Sequence, residues 1–341
     1  MIPGLTELSL GCAQLGNLYR AIPDEQAHAV VDAAWNAGIR YFDTAPHYGL
    51  GLSERRLGEA LAGRPRDEYV LSTKVGRLLE PLPRPKDMDD EGFEVPATHR
   101  RVWDFSRDGV LRSLEESLER LGIHRVDIVY LHDPDDHYRD VLSHAYPALE
   151  ELRSQGVVSA IGAGMNQTGM LTDFARNTDM DLLMVAGRYT LLEQPALDEL
   201  LPLCEQRGIG VVAAGVFNSG LLARRRPVQG AKYNYADAPP QFMQRAGRIA
   251  AICEQYASSL PAAALAFPLG HPAVVSICVG ARSPEQAERN AALRQAHLPS
   301  GLWTQLKAEG LLRPDAPVPG PPSSSLARWQ IDDKWSRPDH R

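Results

Sequence analysis

Short apolar runs alternate with amphipathic helical stretches along almost the whole chain, and this alternation limits the fold more than any other feature. The runs are LSLG (8–11), IRYFD (39–43), YVLSTK (69–74), VDIVYLH (126–132), VVSAIGAG (157–164), DLLMVAG (181–187), IGVVAAGV (209–216) and AVVSICVG (273–280). Each is the length of one buried strand. The segments between them carry helix start and stop signals. Asp24 opens a helix that Gly38 ends, and Ser53 is placed to cap ERRLGEALA. DGVLRSLEESLERLG (108–122) puts Leu111, Leu114, Leu118 and Leu121 on one stripe and stops at Gly122. Pro147 predicts a local irregularity in the helix over 141–156, and a helical stretch is expected from Pro240 to Pro268.

Eight β–α units in series predict a parallel sheet with helices outside it. Closing eight strands into a (β/α)8 TIM barrel leaves no unpaired sheet edge. An open doubly wound sheet would carry G-x-G-x-x-G at an early strand–helix turn, and that spacing does not occur. A barrel of this kind takes about 250 residues, so a chain of 341 must carry insertions. One is expected at Gly76 to Arg107, rich in Pro, Asp and Arg; another is the tail Leu311 to Arg341, with PDAPVPGPPSSS. The expected organisation is a single catalytic barrel domain over 1–310, with 76–107 as a substrate-side insertion, and a Pro-rich tail over 311–341.

Net charge is −7 and no basic tract is present, which argues against nucleic acid and anionic membrane as partners. The start, MIPGLTELSLG, lacks a signal-peptide pattern, and no apolar run reaches membrane-spanning length. Cys12, Cys204, Cys253 and Cys278 are far apart without C-x-x-C spacing, so reduced thiols in a cytoplasmic protein are expected and a zinc site is not. Oligomeric state is not readable from the chain.

Four reactive side chains fall at or just after strand ends: Asp43 after the second run, Tyr48 in the following loop, Lys74 on the third and His132 on the fourth. In a barrel the C-terminal ends of the strands form the active site. Lysine is scarce, five residues against 31 arginines, so a lysine closing an apolar strand is a pointed choice. An ammonium beside a phenol favours the phenolate, and a carboxylate beside the ammonium keeps it charged. An imidazole can polarise the substrate oxygen. The set suits reversible proton transfer at an alcohol or carbonyl oxygen. It supplies no hydride, so redox chemistry would require a nicotinamide cofactor.

FDTAPHYG with SERRLGEAL, LSTKVG, LHDPDD and VGARSPEQAERN together resemble the aldo-keto reductase superfamily, over about Leu8 to Ala296. The resemblance implies a (β/α)8 barrel that binds NAD or NADP, with a catalytic tetrad of Asp43, Tyr48, Lys74 and His132. DFSRDGVLRSLEESLERLGIHRVDIVYLHDPDD, AGRYTLLEQ and GVFNSGLL look like the branch of sugar dehydrogenases acting on L-fucose or D-threo-aldoses, to which pyridoxal and L-galactose dehydrogenases are similar. That branch implies oxidation of the anomeric carbon to a lactone, with Tyr48 as base in oxidation and acid in reduction. A small sugar or aldehyde substrate is implied.

By the same resemblance, Gly11 and Asp43 fall at the cofactor site, and Met165 and Asn166 where the carboxamide is contacted. Val185 and Ala214 replace a glutamine and a ring-stacking tyrosine, with Tyr189 as a candidate substitute. Phe217, Asn218, Ser219, Gly220 and Leu222 match the pyrophosphate loop. Gly280, Arg282, Gln286 and Asn290 match the adenosine end. Gly280 and Gln286 stand where NADP-selective relatives often carry lysine and arginine, while Arg282 could meet a 2′-phosphate, so the cofactor choice is open. Trp103 and Asp133 are expected to join Tyr48 and His132 around the substrate.

Two rival readings stand beside this one. HDPDDH (132–137) supplies metal-type donors, but adjacent residues in one loop rarely face one ion, so it reads as a solvated acidic loop and no metal is expected. A cofactor-sensing, non-catalytic binding subunit is the other, and the intact tetrad argues for an enzyme.

Overall fold

The computed structural model describes residues 5–234 and 236–320. Eight strands form a closed parallel barrel: β1 (Leu8–Gly11), β2 (Tyr41–Asp43), β3 (Val70–Val75), β6 (Ile128–His132), β7 (Ala160–Met165), β8 (Leu182–Ala186), β9 (Gly210–Ala214) and β12 (Val274–Gly280). Each expected apolar run supplies one of them. The remaining strands are a hairpin of β4 (Arg77–Lys86) and β5 (Ala97–Trp103) and a short pair, β10 (Lys232–Tyr233) with β11 (Ala236–Asp237).

Strand alternation sorts the side chains into two layers. Tyr41, Val70, Ile128, Tyr130, Met184 and Cys278 pack inside the barrel. Phe42, Leu71, Leu131, Met165, Val185 and Val279 face the surrounding helices in the larger core. Parallel pairing sets the height of the strand ends: Gly11 lies opposite both Asp43 and Gly280, and His132 opposite Gly164.

The helices follow the expected signals with local differences. α1 (Asp24–Asn36) begins at Asp24, and Gly38 takes a positive φ of 87° two residues beyond its end. α2 (Leu52–Leu61) is capped by Gly51 and not by Ser53. Ser53 turns inward instead, donating 2.7 Å to the Cys12 carbonyl and lying 2.9 Å from the Thr44 hydroxyl. α3 (Arg107–Leu121) is capped by Ser106, whose hydroxyl accepts from the Gly109 amide, and ends at left-handed Gly122. A π-helical turn, Val141–Ala145, precedes Pro147. The stretch from Pro240 breaks into helices Pro240–Gln255 and Leu260–Ala266, with Ala257 in the left-handed region between them.

The 76–107 insertion is the β4–β5 hairpin, folded over the β2 end of the barrel. Leu79, Phe93 and Val95 pack with Leu50, and Tyr48 lies against this cluster. Of the expected tail, Leu311, Leu312 and Ala316 are buried in the main core; 321–341 lie outside the described residues. Among the described residues no helix is long and apolar enough to cross a membrane. The four cysteines are buried and unpaired.

Candidate active site

The loop after β2 is fixed before its side chains matter. Gly16 and Gly49 meet backbone to backbone. A Cβ on Gly16 would lie 2.6 Å from the Tyr48 carbonyl, and one on Gly49 2.3 Å from the Gly16 oxygen. Only glycine permits that approach, and it seats Tyr48 against β3. Lys74 Nζ then donates to Asp43 Oδ2 at 2.6 Å, to the Thr44 carbonyl at 3.0 Å and to the Tyr48 hydroxyl at 3.2 Å. All three ammonium protons have partners. The Ser72 hydroxyl donates to the other Asp43 oxygen at 2.7 Å and is itself 3.1 Å from Tyr41 OH, so the carboxylate is held at both ends. The Tyr48 and His132 rings stand nearly perpendicular, centroids 5.9 Å apart. The four expected side chains therefore converge.

Electrostatics fixes the resting protonation states. Burial disfavours the Lys74 ammonium, but Asp43 and Tyr48 outweigh burial and raise its pKa above the ordinary lysine value. Burial pushes the Tyr48 phenol well up; Lys74 pulls it down without cancelling the rise, and Asp43 adds to it. The ammonium acts on the phenol in the expected direction, but burial outweighs it: at neutral pH Tyr48 holds its proton, and the lysine limits how far its pKa rises. Burial, then Arg77 and Lys74, hold His132 well below its ordinary value. Its Nδ1 is buried without a partner among the described residues, and Nε2 lies 3.6 Å from Asp133 Oδ2, beyond hydrogen-bond range. A neutral imidazole there can donate one N–H to a substrate oxygen.

Two further residues join the site. His47 packs its ring 5.5 Å from His132, and burial with Arg77 and Arg101 lowers its pKa to about 2. Arg77 donates to Asp133 at 2.6 Å and to His47 Nδ1 at 3.3 Å. Neither was singled out in the sequence. The signal for His47 was its place beside Tyr48; Arg77 had only its place after LSTKVG. A cavity of about 340 Å3 opens beside these groups, lined by Arg77, Trp103, Asp133, His137, Asn166 and Gln167 among others.

The rest of the mouth could hold a dinucleotide. The loop after β9 turns through Gly215, Asn218, Ser219 and Gly220, all at positive φ, a conformation that gathers backbone N–H groups for an anion. Buried Asn218 Oδ1, Asn290 Oδ1 and Gln14 Oε1 have no hydrogen-bond partner among the described residues. A Cβ on Gly280 would lie 2.1 Å from Gln14 Oε1, so the Gln14 amide rests directly on this glycine. Ser283 caps the helix Pro284–Arg294, next to Arg282. The Arg282 guanidinium donates to the Leu18 carbonyl at 2.9 Å, and the Gln286 side chain accepts from the Arg282 amide.

Some expected contacts do not reach the mouth. Tyr189 is buried against Phe267, centroids 5.1 Å apart, behind the barrel wall, so it cannot replace a stacking tyrosine. Met165 and Val185 face the helix layer, because alternation turns Gly164 and Met184 inward. Leu222 is fully buried and Phe217 packs on the core, leaving Asn218, Ser219 and Gly220 to present the loop. Among the described residues no group of three or more His, Cys, Asp or Glu side chains could hold a metal ion. Asp133 of HDPDDH serves Arg77 instead.

The Aldo/keto reductase family model matches residues 7–308. The chain is 53% identical over 311 residues to D-threo-aldose 1-dehydrogenase of a Pseudomonas species, covering 90% of this chain and 94% of the relative. It is 42% identical over 327 residues to pyridoxal 4-dehydrogenase of Microbacterium luteolum, covering 90% and 95%. Its fold superposes on the holo form of an aldo-keto reductase from Bacillus halodurans with a TM-score of 0.69 at 26% identity, covering 90% and 94% of the chains.

Proposed function

The chain belongs to the aldo/keto reductase family, and we propose that this oxidoreductase oxidises the anomeric carbon of an aldose of the L-fucose or D-threo type to the lactone, using NAD or NADP. The observation that carries the reading is the Lys74–Tyr48–Asp43 geometry in a chain 53% identical to a D-threo-aldose 1-dehydrogenase. A bound nicotinamide would supply the hydride acceptor for the anomeric carbon. Asn166, Asn218, Ser219, Gly220, Gly280, Arg282, Gln286 and Asn290, with Gly11 and Asp43 at the β1 and β2 ends, are the residues that would hold the cofactor.

Tyr48 is the general acid/base. In oxidation it takes the proton of the anomeric hydroxyl; in reduction it returns one to the carbonyl oxygen. Because burial keeps the phenol protonated at neutral pH, the resting site is set for the acid role, and oxidation gains as pH rises. Lys74 stabilises the phenolate, Asp43 holds Lys74, and neutral His132 donates to the reacting oxygen. The buried, unpaired cysteines suit a reducing compartment such as the cytoplasm.

The 42% identity to a pyridoxal 4-dehydrogenase favours pyridoxal as the second candidate substrate. The deciding assay follows reduced-nicotinamide absorbance with NAD and with NADP against L-fucose, L-galactose, D-arabinose, D-threo sugars and pyridoxal. Turnover of an aldose supports the reading; turnover of pyridoxal alone replaces it. Tight cofactor binding without turnover of any of them points to a binding subunit.

A further inference from the structure

We propose that Arg77 and Asp133 form a clamp for two adjacent hydroxyls of a neutral, polyhydroxylated substrate, next to its reacting carbon. The proposal rests on the aldose reading and adds the residues that enforce it. Asp133 directly follows His132, and Arg77 opens the hairpin three residues after Lys74. Both line the cavity beside the tetrad.

The guanidinium is a rigid donor. It lies 4.2 Å over the Trp103 ring, 3.3 Å from His47 Nδ1 and 2.6 Å from Asp133 Oδ2. Trp103 is braced in turn by Phe105 and His137, with centroids 5.9 and 5.5 Å away. Asp133 is held in the left-handed region at φ 41°, with its amide donating to the Gly164 carbonyl. Its side chain stays 35% exposed while that of Arg77 is 12% exposed. A carboxylate that accepts and a guanidinium that donates, side by side, match a vicinal diol, whose oxygens do both. Trp103, 43% exposed, stands on the cavity rim and holds the guanidinium over its ring.

Charge identifies the ligand as neutral. Asp133 at 2.6 Å and Glu91 at 3.7 Å already match Arg77. Asp135 and Asp136 stand on the same rim and add negative charge. Among the described lining residues a phosphorylated or carboxylated substrate would meet no lysine or arginine beyond the already paired Arg77. An analogue lacking the hydroxyls leaves the charged pair without the contacts it is placed to make, the situation in which enzymes discriminate strongly.

The test crosses substrate deletion with residue change. For wild type, Arg77→Lys and Asp133→Asn, kcat/KM is measured in the oxidising direction for an accepted aldose and its 2-deoxy and 3-deoxy analogues. In the reducing direction it is measured for glyceraldehyde and propanal. With each hydroxyl bound by a charged partner, wild type should favour the hydroxylated member by about 10- to 100-fold. Both variants should shrink that ratio to within about threefold, whatever their absolute rates. A ratio unchanged in both variants, or a wild type indifferent to the hydroxyls, overturns the clamp. If no aldose is oxidised, the aldose reading fails, and the glyceraldehyde–propanal ratio still decides the clamp. No turnover of any of these substrates with either nicotinamide overturns both.

Discussion

Replacing Lys74 with methionine removes the cation 3.2 Å from the Tyr48 oxygen and 2.6 Å from Asp43. At an effective dielectric constant near 20, opposite unit charges at the first distance attract by about 5 kcal/mol. That is the scale on which the Tyr48 phenolate loses stabilisation, and it corresponds to a fall in oxidation rate at neutral pH of about a thousandfold or more. The direction follows from the site: burial pushes the phenol up, and Lys74 is what pulls it back. The rising limb of the kcat–pH profile should therefore move to more alkaline pH. The same change strands the Asp43 carboxylate, 2% exposed, and removing one partner of a buried pair costs about 3–5 kcal/mol of stability. The double variant Asp43→Asn/Lys74→Met should recover much of the stability and none of the rate. Steady-state kcat across pH, with thermal unfolding of all three proteins, separates the two effects. A Lys74→Met enzyme with wild-type kcat and an unshifted profile would refute the tuning role.

Acid should destabilise the fold. His47 and His132 are held neutral when folded but titrate near 6.5 when unfolded, so below that pH the unfolded chain binds more protons. Stability is then full above pH 6.5 and falls as pH drops, by up to about 1.4 kcal/mol per pH unit for each imidazole; a melting temperature that is flat from about pH 7.5 to pH 5 would contradict this, and His47→Asn should flatten the slope. Ser72→Ala frees one Asp43 oxygen from a 2.7 Å hydrogen bond and should lower kcat about tenfold, since hydrogen bonds to charged groups are worth about 1.5–3 kcal/mol, with KM for the nicotinamide unchanged. Gly16→Ala places a Cβ 2.6 Å from the Tyr48 backbone; the displaced phenol should cost about 100-fold in kcat, and cofactor titration should show affinity retained.

The barrel was legible because strands buried on both faces read as short, mainly apolar runs, and these eight recur between helical stretches. The tetrad was legible because three of its members close such runs and the fourth lies five residues beyond one. The β4–β5 hairpin was not, since Pro81, Pro83 and Pro85 break the strand pattern; an exposed two-stranded ribbon needs no continuous buried face to form. Tyr189 and Met165 show what a resemblance leaves out. Position along the chain does not say which way a side chain turns, and strand alternation sends Met165 into the helix layer. Ser53 read as a cap because its residue type suits one, but Gly51 has the left-handed conformation this helix start uses. The protonation of Tyr48 needed depth as well as partners: Lys74 was visible in the sequence, the burial that outweighs it was not. His47 was missed because it lies in a loop without periodicity, and Arg77 because it opens a Pro-broken hairpin strand; only packing brings them together over Asp133 and His132.

The most direct test of the proton-transfer account uses an accepted aldose deuterated at the anomeric carbon, with NAD or NADP, in wild type and Tyr48→Phe. The label should appear on the nicotinamide with wild type, and Tyr48→Phe should lose about a thousandfold or more in kcat while binding cofactor as wild type does. Label retained on the product carbon, or near-wild-type turnover by Tyr48→Phe, would contradict it.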